Sequence, residues 1–231
     1  MRHPHAPPPF VPARGPALWT ELVGTGLLTV VIAMCVLAGV SGPTVAAAVF
    51  AVLLAIVYAG GPVSRAMYNP AVSCGFAVRG ILPWRDVTPF VAVQLAGALV
   101  AVAAAWVMVP AGREAVSVGA GDVTIAALVA EVVFTFALMW VILHVADLRH
   151  APDNAWYGIA IAGVVAAAIL AAGPVSGAVL NPAVAIAAGI IGARSWAQVA
   201  AYIPAELMGA VLAALVARTT AASAALVPTP D

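Results

Sequence analysis

Apolar residues along this chain gather in long blocks, separated by short polar or Gly/Pro-rich breaks. Six blocks stand out, at 17–40, 44–59, 87–109, 123–146, 155–172 and 196–217. They reach or approach the length of about 20 residues that carries a helix across a bilayer. The second and fifth are short, and each runs into a Gly-Pro pair, Gly61-Pro62 and Gly173-Pro174. Two further apolar stretches, 70–78 and 182–191, would each cover roughly 15 Å as helix, half the hydrocarbon core. Neither can span alone, but two meeting head to head could. The pattern predicts an all-α membrane protein with six transmembrane helices plus two half-helices.

The two halves of the chain repeat one another. Residues 61–73 read GPVSRAMYNPAVS and residues 173–185 read GPVSGAVLNPAVA, with nine of thirteen positions identical at an offset of 112. The offset continues, with Gln94, Gly97 and Ala98 falling on Glu206, Gly209 and Ala210. Each half holds three spans and one half-helix, and an odd number of spans inverts the second copy. That is an inverted-repeat architecture, in which broken segments meet near the midplane and build the site. One channel domain is therefore expected over 17–217, with repeat one at about 17–110 and repeat two at about 122–217. A Pro-rich, disordered cytoplasmic tail is expected over 1–16 and a loose cytoplasmic tail over 218–231.

Arginine placement orients the spans. With the N-terminus inside, Arg2, Arg14, Arg65, Arg79, Arg85, Arg149 and Arg218 face the cytoplasm, and only Arg113 and Arg194 face outward. This is a positive-inside bias, and it predicts a multi-pass plasma-membrane protein with both termini cytoplasmic. Composition agrees. The chain is 65% hydrophobic and 8% charged, with a mean hydropathy of +1.11, whereas soluble domains carry about 25% charged residues. So few charges leave an apolar surface that must face lipid. A net charge of zero gives no basic face for nucleic acid. Cys35 and Cys74 have no Cys or His at metal spacing, so they read as small core residues, and neither a metal nor a cofactor is expected.

Asn-Pro-Ala occurs twice, as Asn69-Pro70-Ala71 and Asn181-Pro182-Ala183, each opening a half-helix. Proline at the first helical position loses no intrahelical bond. Asparagine before it can cap an orphan N–H and still present amide donors. The preceding stretches, 61–68 and 173–180, should be extended. Non-helical backbone at membrane depth is tolerated only where it lines a cavity. The expectation is a pore with a ladder of carbonyl acceptors, two Asn donors at its middle and two helix-dipole ends pointing at it. Such a pore passes neutral hydrogen-bonding molecules and repels cations and protons.

From about residue 17 to residue 217 the chain resembles the major intrinsic protein family, the aquaporins and glycerol channels. The paired Asn-Pro-Ala motifs carry the resemblance, helped by Glu21 with Gly24 and Thr25, and by Glu131 with Phe134, Thr135 and Phe136. It implies that Glu21 and Glu131 are buried carboxylates bracing the two pore loops. A carboxylate inside the membrane is expensive and is kept for a partner or a pathway. It also implies a homotetramer with one pore per subunit, with Gly97 and Gly209 allowing close helix packing.

The chain departs from the family where the constriction should be. The usual Arg after the second motif is Val184, and three residues before Asn181 stands Ala178. Counting from each Asn puts the other two filter positions at Val49 and Ile169, or at Phe50 with a slip of one. A selectivity filter of Val49, Ile169, Ala178 and Val184 is apolar. It would either admit larger neutral solutes or dewet and close. Smaller departures are Arg65 and Met67 in the first loop, with Asp86 or Asp147 as partners for Arg65, and Glu206 opposite Gln94. The reading is a passive channel for water or small neutral solutes, glycerol-like polyols or uncharged metalloid acids such as arsenous acid. A coupled secondary transporter or a non-conducting structural protein is the alternative. A transporter would want a titratable residue in the pore, and Glu21, Glu131 and Glu206 all lie off the half-helices. An enzyme is disfavoured, because no reactive cluster sits near the interrupted segments.

Overall fold

The computed structural model describes residues 14–40, 42–109, 122–146 and 154–224, with side chains described as far as Thr219. Most of the two expected tails lies outside this set, as do Arg2, Arg113, Asp147 and Arg149. Eight helices are described: α1 (Arg14–Leu37), α2 (Pro43–Ser64), α3 (Pro70–Arg79), α4 (Trp84–Met108), α5 (Ile125–Val145), α6 (Tyr157–Ser176), α7 (Pro182–Ile190) and α8 (Trp196–Ala224). Six are long and apolar enough to cross a membrane. The other two, α3 and α7, have 10 and 9 residues.

Two expectations need correction at the Gly-Pro pairs. Helix α2 runs on through Pro62 to Ser64, and α6 through Pro174 to Ser176, so neither span is short. Only 65–68 and 177–180 are non-helical. A proline removes one N–H and keeps a helical φ. In an apolar medium, ending the helix there would strand several more backbone groups, so the helix continues one turn. At the ends, α1 already begins at Arg14 and α8 continues past residue 217.

The helices pack as two related halves. Helix α1 lies along α4 and α5 along α8, while α2 and α6 cross between the halves. The first two pairings depend on glycine. A Cβ on Gly97 would collide with the Leu22 carbonyl and sit 3.1 Å from Gly26 N. A Cβ on Gly209 would collide with the Val132 carbonyl and sit 2.9 Å from Phe136 N. These glycines thus bring backbones together within one subunit.

The outer surface shows where the bilayer lies. Trp19, Trp84, Trp106, Trp156 and Trp196 are all exposed and all stand near helix ends, as interfacial tryptophans do. From Trp84 to Trp106 helix α4 rises roughly 33 Å, close to the hydrocarbon thickness of about 30 Å. Between such ends the exposed residues are apolar, as with Val23 and Leu27 on α1 and Val129 and Val133 on α5.

Candidate functional site

The two half-helices begin face to face. Asn69 caps α3 by accepting Ala71 N–H at 2.8 Å, and Asn181 caps α7 by accepting Ala183 N–H at 3.0 Å. Each side-chain amide also reaches across to the other repeat. Asn69 Nδ2 donates to the Leu180 carbonyl at 2.8 Å, and Asn181 Nδ2 donates to the Tyr68 carbonyl at 2.9 Å. One cap is worth about 1 kcal/mol. The crossed pair also ties each asparagine to the residue preceding the other. An amide carries two N–H groups, so each Asn retains one beyond the cross-bond, and both residues line the central cavity.

The backbone before each Asn is strained in the same places in both repeats. Arg65, Ala66 and Tyr68 have φ of 70°, 49° and 49°, and Ala178 and Leu180 have 49° and 55°. Among the described residues no other non-glycine position has a positive φ. Side chains in the left-handed region cost about 1–3 kcal/mol each and persist only where the surroundings hold them. Here carboxylates hold them. Glu21 accepts Met67 N at 2.9 Å and Tyr68 N at 2.6 Å, along with Ser64 Oγ at 2.6 Å and Gln94 Nε2 at 2.8 Å. Glu131 accepts Val179 N at 3.0 Å and Leu180 N at 2.8 Å. The hydroxyls of Ser64 and Ser176 accept Ala66 N and Ala178 N, each at 3.1 Å.

Three residues of this frame carried no role in the sequence reading. Tyr68 turns back to donate from its hydroxyl to the Ile56 carbonyl at 2.9 Å, and fills the space that Gly24 and Gly60 leave open. Gln94 links Glu21 to Ser73 Oγ, which it meets at 3.0 Å. Glu206, fully buried, accepts Asn181 N at 3.0 Å through Oε1, while Oε2 has no partner. The repeat offset was the signal for Ser64, Ser176 and the Gln94–Glu206 pair, since each occupies a matched position.

A cavity of about 580 Å³ lies inside the bundle at the half-helix junction. It follows α2 from Pro43 to Val57, a rise of roughly 21 Å. Val49, Ile169, Ala178 and Val184 all line it, together with Asn69, Asn181 and residues of both non-helical segments, while Phe50 does not. Segments 65–68 and 177–180 lie outside any helix, so a helical ladder does not consume their carbonyls. The cavity is therefore lined by residues of two segments free of a helical ladder, by the two asparagines and by the aliphatic side chains of Val49, Ile169, Ala178 and Val184. Pro70, Ala71, Pro182 and Ala183 are buried in the first turns of the half-helices. Asp86 pairs with Arg14 at 3.4 Å and lies 3.9 Å from Arg85. His144 lies against Trp140, with ring centroids 4.0 Å apart and Nδ1 2.7 Å from the Trp140 carbonyl.

Comparison with known proteins gives a consistent result. The family model described as "Major intrinsic protein" matches residues 16–216. Aquaporin NIP1-4 of Oryza sativa subsp. japonica is 41% identical over 157 residues, covering 67% of this chain and 57% of the relative. Aquaporin NIP1-2 of the same source is 31% identical over 208 residues, 82% of this chain and 68% of the relative. The chain thus spans a little over half the length of the first of these relatives. The X-ray structure of the aquaglyceroporin from Plasmodium falciparum shares the fold, with a TM-score of 0.75 at 18% identity, covering 93% of this chain and 100% of that one.

Proposed function

Because this chain belongs to the major intrinsic protein family and is an integral multi-pass membrane protein, we propose that it is a passive channel for water and small neutral solutes. The observation that carries the reading is the cavity of about 580 Å³ that lies at the junction of the two Asn-capped half-helices. Its lining gives a neutral molecule acceptors to lean on and a donor pair to pass. The two helix N-termini and the Asn N–H groups disfavour a cation at the same point. Val49, Ile169, Ala178 and Val184 form the filter, wide and aliphatic. Glycerol-like polyols and uncharged metalloid acids such as arsenous acid are the solutes proposed besides water. Glu21 and Glu131 hold the loops that form the wall. The protein works as a channel and not as an enzyme, in a plasma membrane, as a homotetramer with both termini cytoplasmic. Tags at either terminus should be shielded in intact cells, and a tag reached from outside would break the six-span arrangement.

Stopped-flow light scattering on proteoliposomes tests the function. Purified full-length chain should raise water permeability and re-swelling in glycerol several-fold above empty liposomes. Planar bilayers should carry no cation current above background. Liposomes that respond to neither water nor any neutral solute would overturn the channel reading.

A further inference from the structure

Among the described residues that line the cavity, Arg194 alone is charged. It stands in the turn between α7 and α8, far along the chain from the position after Asn181 where the sequence has Val184. It is only 6% exposed. One terminal nitrogen donates to the Ser176 carbonyl at 2.9 Å, and the other reaches the Ala193 carbonyl at 3.2 Å. Its Nε is buried without a partner. Ser176 ends α6, immediately before the non-helical segment that carries Ala178. The guanidinium is thus fastened at the end of the cavity that holds Ala178 and Val184, with Ala193 beside it on the lining.

We propose that Arg194 is the selectivity-determining residue of the outer mouth, supplying from the α7–α8 turn the cation that the aliphatic ring lacks. This rests on the channel reading and deepens it. A guanidinium is always charged and has five N–H donors in a fixed fork. Two are taken by Ser176 and Ala193, which leaves donors for a passing solute. The Glu131 carboxylate is near enough to act on the charge, but its oxygens already accept Val179 N and Leu180 N. It cannot withdraw the fork from the mouth. An entering cation meets a like charge that Glu131 offsets only in part, against a low-dielectric wall. A neutral solute rich in oxygen acceptors meets donors just before the aliphatic ring, whose side chains offer its oxygens none. Neutral polyhydroxy and oxyacid molecules are the class that gains most.

Full-length protein in proteoliposomes and planar bilayers tests this, with wild type, Arg194→Ala, Arg194→Lys, Arg194→Gln and the Arg194→Ala/Val184→Arg double variant. Arg194→Ala should change the glycerol-to-water permeability ratio at least threefold and give sodium conductance above empty bilayers. Arg194→Lys should keep sodium out and Arg194→Gln should not, a contrast that survives if the alanine variant fails to fold. Adding Val184→Arg should abolish the sodium current of the alanine variant, because it returns a guanidinium to the same path. Sodium exclusion is the readout of this pair, since the longer side chain at 184 narrows the ring and lowers the glycerol ratio by itself. A conducting wild type whose Arg194 variants keep its ratio and its cation exclusion would overturn this proposal and leave the channel reading intact. So would a sodium current in Arg194→Ala that Val184→Arg fails to abolish, since it would mark Arg194 as a brace for Ser176 alone. A wild type that conducts nothing would overturn both.

Discussion

Replacing Glu21 by glutamine removes one oxygen and puts an NH2 in its place, a near-isosteric change with a large expected effect. All four groups around the Glu21 carboxylate are donors: Ser64 Oγ, Met67 N, Tyr68 N and Gln94 Nε2. A glutamine keeps one acceptor oxygen for two of them and turns donors toward the other two. The Ser64 hydroxyl can rotate, and Gln94 can flip its amide, but a backbone N–H can do neither. Whichever way the new amide lies, Met67 N or Tyr68 N is left buried and unpaired, which costs about 1–3 kcal/mol. The surviving bonds also drop from charge-assisted to neutral, a loss of roughly 1 kcal/mol each. The total is about 3–5 kcal/mol, against which the relief of burying a neutral group gives something back. At about 2–4 °C per kcal/mol for a chain of this size, Glu21→Gln should melt roughly 6–20 °C below wild type in detergent. Water permeability should fall as well, because the left-handed residues Arg65, Ala66 and Tyr68 lose their anchor. The measurement is intrinsic tryptophan fluorescence on heating, paired with stopped-flow shrinkage at matched protein content. A variant that melts within about 2 °C of wild type would show that Glu21 is protonated in the folded protein, and the argument from four donors would fail.

The same substitution at Glu206 should be harmless, with melting unchanged or raised, because Gln94 at the matching place already shows an amide satisfying that geometry; a drop of more than about 2 kcal/mol would contradict this. Gly97→Ala should destabilise by at least about 1–3 kcal/mol, since its Cβ meets the backbone of α1 and not a side chain that could move; wild-type melting and permeability would mean that α1 and α4 slide apart freely. Val184→Arg in the otherwise native protein should lower glycerol permeability at least fivefold relative to water, by filling the cavity beside Ala178 with a long side chain; an unchanged ratio would remove Val184 from the constriction.

The architecture was legible because lipid imposes a coarse rule. Every spanning segment must be apolar for about 20 residues, and the repeat of 61–73 at 173–185 leaves little freedom in pairing the halves. The capping geometry of Asn69 and Asn181 could be read for the same reason, since proline at the first helical position announces a helix start. Three features were hidden. The helical turn beyond Pro62 and Pro174 follows from the solvent, not from local propensity, which marks Gly-Pro as a break. The alternating left-handed φ at Ala66, Tyr68, Ala178 and Leu180 contradicts what alanine, tyrosine and leucine prefer. It is imposed by Glu21 and Glu131 from helices more than forty residues away in sequence. Arg194 looked like an ordinary outer-loop charge, because nothing near it in sequence shows that the turn folds back onto Ser176.

The second half of the molecule is not a plain copy of the first, and its differences fit together as one change. In repeat one, Glu21 takes an N–H from Gln94, which in turn meets Ser73. In repeat two the matching residues are Glu206 and Ala185, so both the amide and the hydroxyl are gone. Glu131 is left with the loop amides of Val179 and Leu180, the Ser176 hydroxyl and a second carboxylate near enough to act on it. Two carboxylates cannot hydrogen-bond without a proton between them, and the unpartnered Oε2 of Glu206 is the atom that would carry one. The Arg194 charge also acts on Glu131. Repeat two thus lacks the N–H that Gln94 turns to Glu21, and the guanidinium offsets part of the negative charge on this side. On this view the arginine at the mouth and the acid behind the loop depend on each other. Removing Arg194 leaves Glu131 less compensated, so the tolerance for Glu206→Gln should be greatest while Arg194 is present and smaller once it is replaced by alanine. A double-mutant cycle on melting temperature reads that coupling directly, and simple additivity of the two changes would separate the mouth from the brace.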